Sequence, residues 1–511
     1  MAFASSAAST HGAAMRFRRF SFLAPLALIT AAGCSSADSK PAGNPADAGG
    51  DTNDASSTPQ NPFAVPCADS TADVYTTPTA LAPYDPSKRG DIVRCGFDRT
   101  LSAADIDAAN IAEGFKTKKS VTGVKMWRVA FRTERLGGKE GISSGWVFVP
   151  DVPIPGAQPL VVVAHGTRGA APVCTQSKSN DLKDDEVMMS LSIAAAGYTV
   201  IGPDYAGADY GQPPPAYLLS EDEAHSMLDG TRALRKLLPG KLDDKVMIVG
   251  HSQGAHVVLS TQAYAKSYGM AGTLAGVIAF APPWFTARSY GAILHPLGGL
   301  TTKNDAGTIG YATLYFWTHG EVYDGPGKGL DHIQPDKRDA LKVLLTTKCS
   351  GELGDAMPSF GATPRDFFDP AFVDAVGLCA IANTDCDKEP AATWLKRFRA
   401  DRPTIDVAGA PIVIWQGKND TTIPPERVVC GMDKIKKDIA DAGAAAKITL
   451  TVCGDKDADH GGVVQRNMDW VNTWIGARLR GEKDPSCAGR EVLVTAKGDP
   501  IVCATPPENV D

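Results

Sequence analysis

Outside its N-terminus the chain has no run of eighteen apolar residues, the length a helix needs to cross a bilayer, so a soluble body is expected. It has no basic excess either: 51 Lys and Arg stand against 58 Asp and Glu, a net charge of −7. Such a balance gives phosphate no long-range attraction, and it points away from nucleic acid and from anionic membrane surfaces as partners. Metal ligands are also short. No cysteine pair has CxxC spacing with histidine partners, which argues against a zinc site. Asp455, Asp457 and Asp459 alternate as at the start of a calcium loop, but the sixth position is His460 and the twelfth Arg466, where such a loop needs glycine and glutamate. An acidic surface loop is expected there, with no metal and no cofactor.

What is present is a globular, turn-rich composition: 511 residues, 43% apolar, with 51 Gly and 36 Pro. The N-terminus carries an export signal: basic Met15-Arg16-Phe17-Arg18-Arg19, an apolar core from Phe22 to Thr30, then Ala31-Ala32-Gly33 as a small-residue cleavage site. Cys34 follows at once, as in the lipobox of bacterial lipoproteins, although Ala31 stands where that pattern prefers leucine. Lipidation of Cys34 and membrane tethering through it are therefore expected, with plain secretion as the alternative. Residues 34–62 are rich in Ala, Asp, Ser, Gly and Pro; too poor in large apolar groups to order themselves, they read as a flexible linker.

Of the 11 cysteines, removing Cys34 leaves an even set, which in an oxidising compartment suggests up to five disulfides. Connectivity is not deducible from spacing. Local pairings would be Cys67–Cys95, Cys379–Cys386, Cys430–Cys453 and Cys487–Cys503.

The chemistry concentrates in Gly250-His251-Ser252-Gln253-Gly254, between an apolar strand at Val246 to Val249 and a helix starting near Ala255. Gly-x-Ser-x-Gly between strand and helix is the nucleophile elbow of the α/β-hydrolases: a tight turn projects the serine hydroxyl, and side chains at either glycine would collide with neighbouring backbone. The partners follow in the chain order Ser, acid, His. Asp420 ends an apolar segment begun at Pro411, and His460 lies in the loop Asp457 to Gly462, after a strand from Lys447 to Val452. A serine hydroxyl needs a histidine to take its proton and an acid to orient that histidine. Singly, Asp420 would read as a turn former and His460 as a solvated loop residue. Asp457 and Asp459 are rival acids, more fitted to shaping their loop, and the remaining histidines either precede Asp420 or flank the elbow. The continuous apolar run Pro159 to Ala164, a strand buried on both faces, ends in His165-Gly166-Thr167-Arg168-Gly169. The backbone amides of Thr167 and Gln253 are assigned as oxyanion-hole donors, each worth ~3 kcal/mol in such sites.

Taken with Cys174, Pro203-Asp204-Tyr205-Ala206-Gly207 and Gly417-Lys418-Asn419-Asp420-Thr421-Thr422-Ile423-Pro424, these motifs resemble the secretory lipase family over roughly Thr117 to Leu479. Ala255 stands where that family often has a second glycine. The resemblance implies an α/β-hydrolase fold, a mostly parallel sheet flanked by helices, with a large helical lid between the sixth and seventh strands. It also implies ester hydrolysis, typically of acylglycerols. About 130 residues separate Ala281 from Pro411, far more than an ordinary connection. The expected organisation is a signal peptide at 1–33, a linker at 34–62, a hydrolase core at 63–283 and 409–482, a lid at 284–408 and a C-terminal extension at 483–511.

Further expected elements are opening antiparallel strands at Lys125 to Thr133 and Gly145 to Val149, a strand at Thr199 to Gly202, and helices at Val187 to Ala195 and Ser220 to Leu238. Ser220 and Glu223 would form a capping box. Tyr205, Trp284 and Phe285 are candidates for the acyl pocket or for the core. The expected reaction is two-step acyl transfer from an ester or lipid substrate, with no protein partner implied. A serine peptidase would need an acidic pair for a substrate amine, for which the lid offers Glu321. A non-catalytic surface binder would not need the three residues intact. A tannase or feruloyl esterase would carry cysteines where His251 and Asp459 stand.

Overall fold

The structure is a computed structural model that describes residues 61–78, 83–210, 212–283, 291, 293–294, 303–487, 493 and 500–503. Residues 60–511 form one compact unit. The signal peptide, Cys34, nearly all of the linker, Trp284 and Phe285 lie outside the described residues.

Among the described residues nine strands form one sheet, in the order β1-β2-β3-β5-β4-β6-β7-β8-β9. Strands β1 (Ile92–Leu101), β2 (Val124–Arg135) and β3 (Lys139–Pro150) run as an antiparallel meander that joins β5 (Thr199–Ala206) antiparallel. From β5 onward, β4 (Gln158–Ala164), β6 (Leu242–His251), β7 (Thr273–Phe280), β8 (Ile412–Gly417) and β9 (Leu450–Asp455) pair in parallel. β1 is an additional strand to those expected. Its partly exposed residues include Arg94, Asp98 and Arg99, so it carries no apolar run to mark it. The long insertion therefore follows the seventh strand of the sheet rather than the sixth.

The central strands are apolar throughout because both faces are covered. Leu160 and Val162 of β4 face one core cluster, and Val161 and Val163 face the other; the same alternation splits Val246 and Ile248 from Met247 and Val249 of β6. Each such side chain, wholly withdrawn from water, stabilises the fold by about 1.5–3 kcal/mol. Helices α1 (Ala103–Ala112) and α2 (Asp185–Ala195) lie on one face, while α3 (Ser220–Leu237) and α4 (Gln253–Tyr268) lie on the other.

Between β7 and β8 the chain forms α5 (Lys303–His319), α6 (Arg338–Thr347), α7 (Ser350–Ala356), α8 (Pro370–Ala382) and α9 (Ala391–Asp401). These helices share a third core with Tyr217 and Leu218, rich in edge-to-face contacts such as Phe316 with Trp394. Helix α10 (Pro425–Ala442) joins the α3–α4 face, and α11 (Met468–Arg480) the α1–α2 face. One helical turn at Gly462–Gln465 precedes α11.

Five disulfides join all ten cysteines after Cys34. Cys67–Cys95 and Cys379–Cys386 pair as expected. The other two local pairings do not form: Cys430 bonds Cys503 and Cys453 bonds Cys487, so the C-terminal extension is tied to α10 and β9 instead of closing on itself. Cys174 pairs with Cys349 across 175 residues. The expected capping box at α3 is also absent. Ser220 is the first helical residue, its hydroxyl donates to the Asp401 carbonyl, and Glu223 turns inward to accept from Gln253 and the Leu218 amide.

Candidate active site

The elbow is built by steric necessity. Ser252 sits at φ 55°, ψ −122°, a sparsely populated conformation that costs about 1–3 kcal/mol and needs its surroundings to hold it. A Cβ on Gly250 would stand 2.2 Å from the Gly254 carbonyl oxygen, and one on Gly254 would stand 2.1 Å from that of Ala164. Only glycine at both places lets β6, the turn and α4 approach this closely.

The structure brings the three sequence-assigned residues together. Ser252 Oγ lies 2.9 Å from His460 Nε2, and His460 Nδ1 lies 2.7 Å from Asp420 Oδ2. Asp420, at 3% exposure, uses its two oxygens differently. Oδ1 accepts from the Thr422 and Ile423 amides and closes the turn after β8; Oδ2 takes the imidazole and, at 3.3 Å, the Gln416 amide. One carboxylate thus both closes the turn and contacts the imidazole.

The rival acids are engaged elsewhere. Asp459 accepts from the Gly462 amide, and Asp455 and Asp457 accept from Arg466. Among the described residues no group of His, Cys, Asp and Glu has the arrangement of a metal site.

Thr167 and Ser252 line one cleft of about 600 Å³, with Tyr217, Leu218, Tyr311, Phe316 and Ile423 among its mostly apolar walls. A larger, shallower cleft of about 1200 Å³ lies beside Lys245, Pro411 and Arg478 and contains none of the three. Gln253 is the first residue of α4, so its amide is one of the helix N-terminal donors that lack an intrahelical acceptor. Its side chain is held inward by Glu223 Oε1 at 2.6 Å. Tyr205 does not line this cleft: it is buried, at φ 66°, with its hydroxyl on the His165 carbonyl.

Two residues here, Arg427 and Glu186, were not singled out from the sequence. Arg427 lines the cleft, and burial depresses its pKa. Glu186 and His251 form a buried pair beside His460. Glu186 closes the acidic run Asp184-Asp185-Glu186 at the start of α2, which reads as ordinary helix N-terminal charge. Nothing local shows that its third member points inward.

A mostly parallel sheet with a serine on its strand–helix elbow, and an acid and a histidine on later strand ends, has the architecture of an α/β-hydrolase. The chain belongs to the α/β-hydrolase family, whose model, the alpha/beta hydrolase fold, matches residues 159–448. Among solved structures it is similar to Candida antarctica lipase A in its closed state, at 16% identity and TM-score 0.59 over 86% of this chain and 93% of that one. It is also similar to the rice cell wall degrading esterase LipA from Xanthomonas oryzae, at 18% identity and TM-score 0.55 over 77% of this chain and 95% of that one. A putative hydrolase from Legionella pneumophila matches at 18% identity and TM-score 0.58, over 77% and 99%. No curated protein sequence matches the chain.

Proposed function

We propose that the protein is an exported serine hydrolase of carboxylic esters, acylglycerols foremost, working through an acyl-enzyme on Ser252. The observation that carries this reading is the unbroken line from Ser252 Oγ through His460 to Asp420, at 2.9 and 2.7 Å, opening into an apolar cleft. His460 takes the serine proton as Ser252 attacks the ester carbonyl, and Asp420 holds the imidazole in the required tautomer. The amides of Thr167 and Gln253 receive the oxyanion. His460 then passes its proton to the leaving alcohol and activates the water that clears the acyl group. No cofactor enters.

Lipase and esterase neighbours support the ester class. The described residues lining the cleft include no carboxylate, and Glu321 is spent on the Gly327 and Gly329 amides. Both features count against a peptidase that grips a substrate amine. In this reading the 284–408 insertion acts as the lid, and an acylated Cys34 tethers the enzyme to the bacterial envelope through the 34–62 linker. The disulfides are consistent with an extracellular protein, and no described helix is long and apolar enough to cross a membrane.

The test is hydrolysis of p-nitrophenyl esters from acetate to palmitate and of emulsified triglyceride, with Ser252→Ala as control. Long-chain or emulsion activity that drops by about 10⁴-fold or more in the mutant supports the lipase reading. Short-chain activity alone makes it an esterase. Activity that survives the mutation defeats the mechanism.

A further inference from the structure

We propose that Glu186 and His251 are positioning residues, a buried ion pair that ties the His460 loop and the Gly166–Thr167 loop to one carboxylate behind the nucleophile. The inference rests on the hydrolase reading above and adds to it two residues that do not touch substrate.

Glu186 is 6% exposed, and a buried carboxylate is stable only where donors surround it. Three donors from two segments meet it. The Gly166 amide donates to Oε1 at 3.1 Å, His251 Nδ1 lies 2.9 Å from the same oxygen, and the Arg168 guanidinium donates to Oε2 at 3.2 Å. The other ring nitrogen of His251, Nε2, lies 2.9 Å from the backbone carbonyl oxygen of His460. Both nitrogens therefore face acceptors. A neutral imidazole has one N–H, so both contacts are hydrogen bonds only when His251 is an imidazolium.

The surroundings favour that state. Asp185 on α2 adds negative charge; Arg168 and His165, after β4, act on the carboxylate; the triad member His460 lies with its ring centroid 4.7 Å from that of His251. Burial alone would raise the Glu186 pKa, but the hydrogen bond and charge of His251, with Arg168 behind, outweigh it and bring it to about 2. Burial alone would lower His251, and Glu186 reverses that.

The pair therefore fixes the carbonyl of the residue that accepts the serine proton and the amide next to the proposed oxyanion donor Thr167. Its closeness also explains Gly166, where a Cβ would meet Glu186 Oε1 at 2.8 Å. Small misplacements of such groups cost rate more than binding.

The test measures kcat and KM against pH for wild type, Glu186→Gln and His251→Gln on a p-nitrophenyl ester, with thermal melts to establish folding. A fluorophosphonate probe reads Ser252 reactivity independently of substrate. Glu186→Gln is expected to lower kcat by about 10- to 100-fold with KM within about twofold. Above its raised pKa, wild-type His251 turns a lone pair toward the His460 carbonyl, so kcat falls on the alkaline side. In Glu186→Gln that fall moves to lower pH, a shift that a purely structural role would not produce. His251→Gln keeps one side-chain donor group and loses the charge; it is expected to lower kcat similarly while abolishing the limb. Folded variants with wild-type kcat, labelling rate and alkaline limb overturn the proposal.

Nitrogen-15 NMR of the wild type reads the pair even if neither variant folds: two N–H signals from His251 at neutral pH support it, and one overturns it. If wild type neither hydrolyses the esters nor labels, the hydrolase reading has failed, and the same NMR signals decide whether the ion pair exists without it.

Discussion

At the scale of single residues, Asp420 carries two duties that mutation separates. Asp420→Asn keeps Oδ1 as acceptor for the Thr422 and Ile423 amides but presents the wrong partner to His460. Turnover is expected to fall by about 10⁴-fold with little change in melting temperature. Asp420→Ala also removes the turn's acceptor and leaves the Ile423 amide unsatisfied, adding a stability loss of about 1–3 kcal/mol. Ester kinetics and thermal melts of the two variants check both halves. Gly254→Ala has no room for its methyl, 2.1 Å from the Ala164 carbonyl oxygen. It is expected to destabilise by about 3 kcal/mol or more, read by denaturant titration.

At the scale of elements, the insertion is fastened to the loop that carries Thr167. Cys349 is bonded to Cys174, and Ser350 donates its amide to the Arg168 carbonyl and its hydroxyl to that of Thr167, both at 2.9 Å. Movement of this part of the insertion would disturb the loop itself, so in the proposed lid reading opening would leave this anchor in place. The disulfide spans 175 residues, against 7 for Cys379–Cys386. Chain entropy makes its removal more costly by about 3 kcal/mol. Double Cys→Ser variants at each pair, compared by denaturant unfolding, check this; equal losses would contradict it. The elements themselves were largely legible, because β4, β6, β7 and β8 are apolar runs with both faces covered. β1 was not, because all its residues but Cys95 and Gly96 are at least partly exposed, and Ser220–Glu223 looked like a cap while serving interior contacts with Asp401 and Gln253.

At the scale of the whole molecule, burial pushes His225 and His332 down to about 4. Both stay neutral in the folded state at pH values where the unfolded chain binds a proton. Their contribution is unfavourable on acidification: stability falls as pH drops below about 6.5 and levels off near pH 4, by about 3 kcal/mol for each. His332 stacks on Phe372 within the insertion core. The stability difference between wild type and His332→Gln is therefore expected to shrink across that range, measured by melts from pH 7 to 4. Glu186 acts with the opposite sign: its pKa of about 2 means that its stabilisation is present above about 4.5 and is lost as pH falls toward 2.

The sequence by itself determined what depends on neighbours in the chain. The Gly250–Gly254 elbow follows from sterics within five residues, the buried strands from apolar runs, and the order Ser252, Asp420, His460 from where those strands end. Tertiary structure alone decided what depends on distance between remote segments. It set the pairings Cys430–Cys503 and Cys453–Cys487 in place of the local ones, the anchor of the insertion on the Thr167 loop, and the burial of Glu186 against His251. A cysteine's partner, or the face an acidic residue takes at a helix start, is settled by which surfaces pack together, and no local pattern of residues encodes that distance.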